Sequence, residues 1–348
     1  MEIFWFCVVG FMLAMYVVLD GFDLGAGMLH LFVAKNDTER RSVLAAIGPV
    51  WDGNEVWLIA AGGTLYFAFP LLYASSFSGF YLPLIIILWL LILRGLGIEL
   101  RHHVHNPVWK AFWDSVFAFG STLLAIFFGA ALGNVVRGVP LKADGYFFEP
   151  LWTTFTIVPQ AGVLDWFTVT MGLVALFTLM AHGANYLAMK TEGDVQSRAR
   201  TIAGRAWWGV LFTSIVALIS TSEIRPGVWS NFADHSWGFV FPLIGVSGLV
   251  GMIYYNRTRK DSRAFVSSTA FIAGMLASTA FGLFPNVLPA STDPNYSLTV
   301  YNTIAHEYGL GVGLVWWTIG IVIALGYFTY LFYSFRGKVK LPAGGEGY

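Results

Sequence analysis

Residues 56–93 form a run of 38 without a single charged side chain. As one helix this run would be about 57 Å long, close to twice the ~30 Å hydrocarbon thickness of a bilayer. It must therefore fold back, and Pro70, Ser75, Ser76, Ser78 and Gly79 mark where. Similar apolar runs cover residues 115–136, 166–189, 206–222, 237–256, 264–284 and 308–335, and a first run, 3–34, is interrupted by Asp20 and Asp23. Only 11% of the 348 residues are charged and 57% are hydrophobic, against about 25% charged in a soluble domain. The solvent for this chain is a membrane.

These runs predict an all-α polytopic membrane protein with about nine transmembrane helices. Basic residues orient it. Lys35, Arg40, Arg41, Arg94, Arg101, Lys110, Lys190, Arg198, Arg200, Arg205, Arg257, Arg259, Lys260, Arg263, Arg336, Lys338 and Lys340 fall on one side, and only Arg137, Lys142 and Arg225 on the other. That places the N-terminus outside and the C-terminus in the cytoplasm. The N-terminus lacks the positive region of a signal peptide, so the first span is expected to be retained. The longest loops, 137–165 and 223–236, are external and too short for a domain core. The expected division is a first four-helix bundle over 1–137, a second over 160–284 and a peripheral ninth helix over 305–335. Asp20-Gly21-Phe22-Asp23-Leu24 and His182-Gly183-Ala184-Asn185-Tyr186 end helices 1 and 5 in a similar way. Internal duplication and chance likeness of two helix ends both account for that pattern.

Zero net charge without a basic stripe argues against nucleic acid, and the one cysteine, Cys7, excludes a disulfide framework or a cysteine metal site within this chain. No phosphate-binding glycine motif or serine–base constellation appears. The chemistry lies in the membrane-embedded acids. Asp20 and Asp23 share one face of helix 1, where a carboxylate costs at least about 2.5 kcal/mol to insert. Asp52 and Glu55, again three apart, open helix 2 within Gly48-Pro49-Val50-Trp51-Asp52-Gly53-Asn54-Glu55-Val56-Trp57. Two readings fit. Either the four acids at one depth handle protons or support a cofactor, or they pair and cap helix ends, with Asp52 as N-cap and Glu55 completing a capping box. Of the seven histidines, His102, His103, His105 and His235 lie in loops or at edges, and His306 starts the last helix beside Glu307. His30 and His182 lie near cytoplasmic helix ends, and no pair has the placement of a bis-histidine haem.

Leu19-Asp20-Gly21-Phe22-Asp23-Leu24-Gly25, Asn36-Asp37-Thr38-Glu39-Arg40-Arg41 and Trp51-Asp52-Gly53-Asn54-Glu55-Val56-Trp57 resemble subunit II of the cytochrome bd quinol oxidases. So do Ser78-Gly79-Phe80-Tyr81 and Phe284-Pro285-Asn286-Val287-Leu288-Pro289. The resemblance implies a terminal oxidase of the bacterial cell (inner) membrane that oxidises quinol and reduces dioxygen to water with cytoplasmic protons. It also implies an obligate partner, subunit I, carrying two b-type haems, one d-type haem and the quinol-oxidising loop. Asp23, Trp51 and Asp52 match family positions tied to proton entry and haem assembly, while Asp20 and Glu55 join the motif more loosely. Glu55 stands where some relatives are expected to have glutamine. A structural quinone or lipid on this subunit and small accessory subunits occur in some relatives and do not follow from these residues. The competing class is a proton-coupled secondary transporter, which also carries acids within helices. A haem-bearing complex with co-purifying partners is the expected outcome for the oxidase; a colourless, self-sufficient protein is the outcome for the transporter.

Overall fold

A computed structural model describes residues 1–158 and 160–341. In chain order it contains α1 (Glu2–Val33), α2 (Asp37–Ile47), α3 (Trp51–Ala68), α4 (Pro70–Gly79), α5 (Tyr81–Leu100) and α6 (Pro107–Arg137). After a long connection come α7 (Trp166–Lys190), α8 (Gly193–Ile224), α9 (Val228–Asp234), α10 (Val240–Arg257), α11 (Asp261–Leu283) and α12 (Glu307–Ser334). A small antiparallel pair, β1 (Asn286–Leu288) with β2 (Leu298–Thr299), precedes α12. Eight helical segments among the described residues are long and apolar enough to cross a membrane: α1, α5, α6, α7, α8, α11, α12 and the Ser236–Arg257 segment that ends in α10. The all-α membrane architecture is as the sequence predicts.

The uncharged run folds back, and the reversal is helical. Pro70 cannot donate a backbone hydrogen bond, so α3 stops at Ala68, Phe69 leaves helical geometry, and α4 starts with proline in its first turn. Glu55, near the start of α3, meets Arg94, near the end of α5, so a side-chain bond joins the two limbs of the reversal. A ten-residue helix at the turn satisfies backbone groups that an open loop at this depth would leave bare. Three expectations change in detail. Arg94, read as a loop charge, lies inside α5, which continues to Leu100. The polar linker after helix 1 is itself a helix, α2, N-capped by Asn36 on the Glu39 amide. Residues 223–236, read as a loop, contain the end of α8 and all of α9.

The C-terminal half of α1 is the axis of the molecule. Every residue from Asp20 to His30 is buried, enclosed mainly by α3, α6 and α7. The approach of α1 to α7 is set by Gly25 and Gly183, since a methyl group on either would overlap the other helix's backbone. Only Leu310 of α12 is buried, so this last helix lies on the outside of the chain.

Gly25→Ala should therefore damage the fold more than Gly21→Ala, where the added methyl meets a movable Leu179 side chain at 2.8 Å. Overpacking of this kind costs about 1–3 kcal/mol. Thermal unfolding of the purified complex should show the larger fall in midpoint for Gly25→Ala; equal midpoints would remove the glycine contact as a determinant.

Candidate functional site

Helix α1 carries Asp20 and Asp23 into the enclosed stretch, and the two acids meet different partners. Arg94 from α5 grips Asp20 with both ends of its guanidinium, Nη1 donating to Oδ2 at 2.9 Å and Nη2 to Oδ1 at 2.5 Å. Both side chains are completely buried. Nη1 also donates to Glu55 Oε1 at 2.9 Å, so one cation joins α1, α3 and α5. The fork geometry suits arginine, which binds a carboxylate through two parallel bonds. Asp23, one turn further, accepts a 2.7 Å bond from Asn54 Nδ2, while its other oxygen has no partner. Asn54 Oδ1, Tyr16 Oη, Trp57 Nε1 and Arg94 Nε are likewise buried without partners. Unpartnered polar atoms thus lie at both acids and on the three helices around them.

The first turn of α3 holds the remaining predicted residues. Trp51 is half-buried, its ring 3.6 Å from where a side chain on Gly95 would begin, and so it packs beside Arg94 on α5. Asp52 is exposed in the isolated chain. It does not cap α3, because the cap position belongs to Val50 and no side chain bonds there. Glu55 is spent on Arg94 instead of a capping box. The structure therefore brings Asp20, Asp23 and Glu55 together around Arg94 and Asn54, with Trp51 against the same helix and Asp52 at the exposed edge.

A second charged cluster lies nearby and was not foreseen. Asp114 of α6, fully buried, is met by His30 Nε2 at 2.6 Å, Arg101 Nε at 2.6 Å and Arg40 Nη1 at 2.9 Å. Arg101 reaches on to Asp37 at 2.8 Å, and Lys110 pairs with Asp37 at 3.0 Å. Partial burial would raise the Asp37 carboxyl, but these two cations outweigh it and hold it below the usual carboxylate range. His30 and Asp114 are 84 positions apart, so no local pattern joins them. The only sequence signal was an aspartate at the edge of an apolar run.

The interior histidines do not fit a bis-histidine haem. Both ring nitrogens of His182 are engaged, Nδ1 with Ser268 Oγ at 2.7 Å and Nε2 with the Val18 carbonyl at 2.9 Å. His30 is held on Asp114, and His306 accepts from the Tyr308 amide at the start of α12. Among the described residues no three His, Cys, Asp or Glu side chains gather as a metal site.

A bundle of long apolar helices that encloses acids paired with a buried arginine defines a polytopic membrane protein. The chain belongs to the cytochrome bd terminal oxidase subunit II family, which it matches over residues 1–335. It is 33% identical to the cytochrome bd-I ubiquinol oxidase subunit 2 of Escherichia coli, covering 96% of this chain and 94% of that protein. It is 30% identical to the cytochrome bd ubiquinol oxidase subunit 2 of Bacillus subtilis, covering 97% and 96%. A chain of the bd oxidase from Geobacillus thermodenitrificans shares the fold, with a TM-score of 0.73 at 16% identity over 96% and 98% of the two chains. The protein is thus a multi-pass component of the bacterial inner membrane and a member of an oxidoreductase complex with subunit I. Family membership replaces the transporter reading.

Removing Arg94 strands buried carboxyl groups, a change that typically costs about 3–5 kcal/mol. Arg94→Leu should collapse the yield of folded complex, whereas Arg94→Leu combined with Asp20→Leu should recover part of it. A double-mutant cycle on thermal stability checks this; equal losses in the single and double variants would contradict pairing as the role.

Proposed function

We propose that this chain serves a quinol-oxidising, dioxygen-reducing complex by leading cytoplasmic protons from Asp52 and Glu55 toward Asp23. The observation that carries this reading is the division between the two acids of α1. Asp20 has both oxygens bound by Arg94, whereas Asp23 keeps one oxygen without a partner in a wholly buried place. A proton carrier needs a lone pair to receive a proton and a neighbour to pass it on. Asp23 has the free oxygen, and because its Asn54 neighbour only donates, onward transfer falls to water among the nearby polar atoms. Asp20 is the anchor that holds Arg94 in place. Buried polar atoms at Asn54, Tyr16 and Trp57 favour a few water molecules linking the acids, since such groups are normally completed by ordered water.

Asp52 lies on an exposed stripe of α3 with Val56 and Ile59. A carboxylate there is better matched by a polar surface of subunit I than by lipid. The topology proposed is N-terminus outside and C-terminus inside, which puts the start of α3 at the cytoplasmic face. The two four-helix bundles, 1–137 and 160–284, and the outlying helix over 305–335 belong to the same proposal. When bound, haems on subunit I would supply electron transfer and the dioxygen chemistry. This chain's residues hold and pass protons and support the face on which that partner sits. Quinol is the proposed reductant, in line with the names of the Escherichia coli and Bacillus subtilis relatives.

Asp52→Asn should slow quinol-driven oxygen consumption strongly at unchanged haem content, and Asp52→Glu should restore part of the rate. Normalised oxygen-electrode rates decide it, and full activity in Asp52→Asn would reject Asp52 as an essential carrier. Asp23→Asn separates two roles: lost haem content means support of assembly, while lower turnover with haem retained means proton delivery. Unchanged haem and unchanged turnover together would return Asp23 to packing.

A further inference from the structure

At the opposite end of the molecule, Arg137 closes α6 and organises the long connection to α7. Its guanidinium has five N–H donors, and all five are used. Nε donates to the Gly138 carbonyl at 3.2 Å, and Nη1 to the Gly162 carbonyl at 3.1 Å and to Asp165. Nη2 donates to Asn134 Oδ1 and to Glu149 Oε1, both at 2.7 Å. Asp165 in turn N-caps α7, its Oδ1 accepting from the amides of Phe167 and Thr168. Glu149 is completely buried, and its second oxygen, Oε2, has no partner.

The charges do not balance. One guanidinium faces two carboxyl groups, so the cluster is neutral only if one of them holds a proton. Asp165 has donors at each oxygen, whereas Glu149 has one oxygen bare and no donor left on Arg137 to serve it. The charged groups around Glu149 are Arg137 from the end of α6 and Asp165 from the start of α7; α4 offers only the Gly79 carbonyl, which accepts from the Glu149 amide at 3.2 Å. Arg225, just past the end of α8, comes within 3.4 Å of where a side chain on Gly138 would begin.

We propose that Glu149 is a buried proton-binding site that clasps the connection over residues 139–158 onto the bundle, closed while the carboxyl is protonated and loosened when it ionises. At Glu149 the connection is attached by that residue's amide to the Gly79 carbonyl, while Val139 is bonded to Pro289 and Ser291 and the carbonyls of Pro150, Leu151 and Phe155 accept from Val163, Leu164 and Trp166. Phe147 is wedged against Gly79 beside Glu149, so a shift of the carboxyl moves the wedge as well. Burial, opposed by Arg137 and reinforced by Asp165, raises the carboxyl from its ordinary 4.5 to about 8. Because the closed state binds the proton more tightly than the open state, closure is strongest below about 4.5, weakens through the window up to about 8, and then levels off.

The test is hydrogen–deuterium exchange of residues 139–158 in the assembled oxidase at pH 5.5, 6.5 and 7.5, corrected for the intrinsic pH dependence of exchange. In the wild type, opening should rise about tenfold per pH unit, the slope for release of one proton. Glu149→Gln, which keeps the bond to Arg137 but cannot ionise, should show no such rise. If Glu149→Gln does not assemble, Glu149→Met removes the titration equally and should be just as flat. A flat wild-type profile, or the same rise in the non-ionising variant, would overturn the proposal.

Discussion

The buried contact between Arg94 and Asp20 is the constraint around which the first half of the molecule is arranged. Neither partner can be left alone inside a helix bundle, since an unpaired buried charge costs several kcal/mol. The contact therefore sets the register of α5 against α1, and through Glu55 that of α3 against both. The reversal at Phe69 and Pro70 is the local device that brings the chain back, so that residues 55 and 94 can meet at all. Placement of Asn54 beside Asp23 follows from the same register, because Asn54 and Glu55 are adjacent on α3.

The fold class and the acids were legible in the sequence for one reason: charge inside an apolar run is costly and stands out. Asp20 and Asp23 interrupt the first run, and Asp52 and Glu55 open the next, so their grouping could be read from spacing alone. Their partners could not. Arg94 follows directly on an uncharged run, where a basic residue is what any cytoplasmic helix end would carry, and its burial depends on α5 continuing past it. His30 and Asp114 meet only because α1 and α6 lie side by side. The external cluster was hidden for a related reason, since residues between two spans read as solvated loop, whereas Glu149 and Asp165 are fully buried.

The two charged clusters along the C-terminal half of α1 differ in kind. Around Asp114 the cations are plentiful and continue through Arg101 to the half-exposed Asp37, so charge there is neutralised and connected to the surface. Around Asp20 and Asp23 one arginine binds two carboxyl groups, those of Asp20 and Glu55, while Asp23 is left to Asn54 and several polar atoms remain without partners. The first arrangement resembles a fastening between helices, while the second leaves buried polar atoms unsatisfied.

The enclosure of α1 from Asp20 to His30 has a consequence for Asp23. A helix walled in on every side has no solvent of its own, and its neighbours α6 and α7 form barriers a full helix thick. The polar side chain that touches Asp23 belongs to α3. Asn54 meets Asp23 where α1 and α3 come together, in the turn that follows Trp51 and Asp52. Asp23 therefore depends on one neighbouring helix for its polar contact, and a bulky side chain in place of Asn54 would crowd the acid directly.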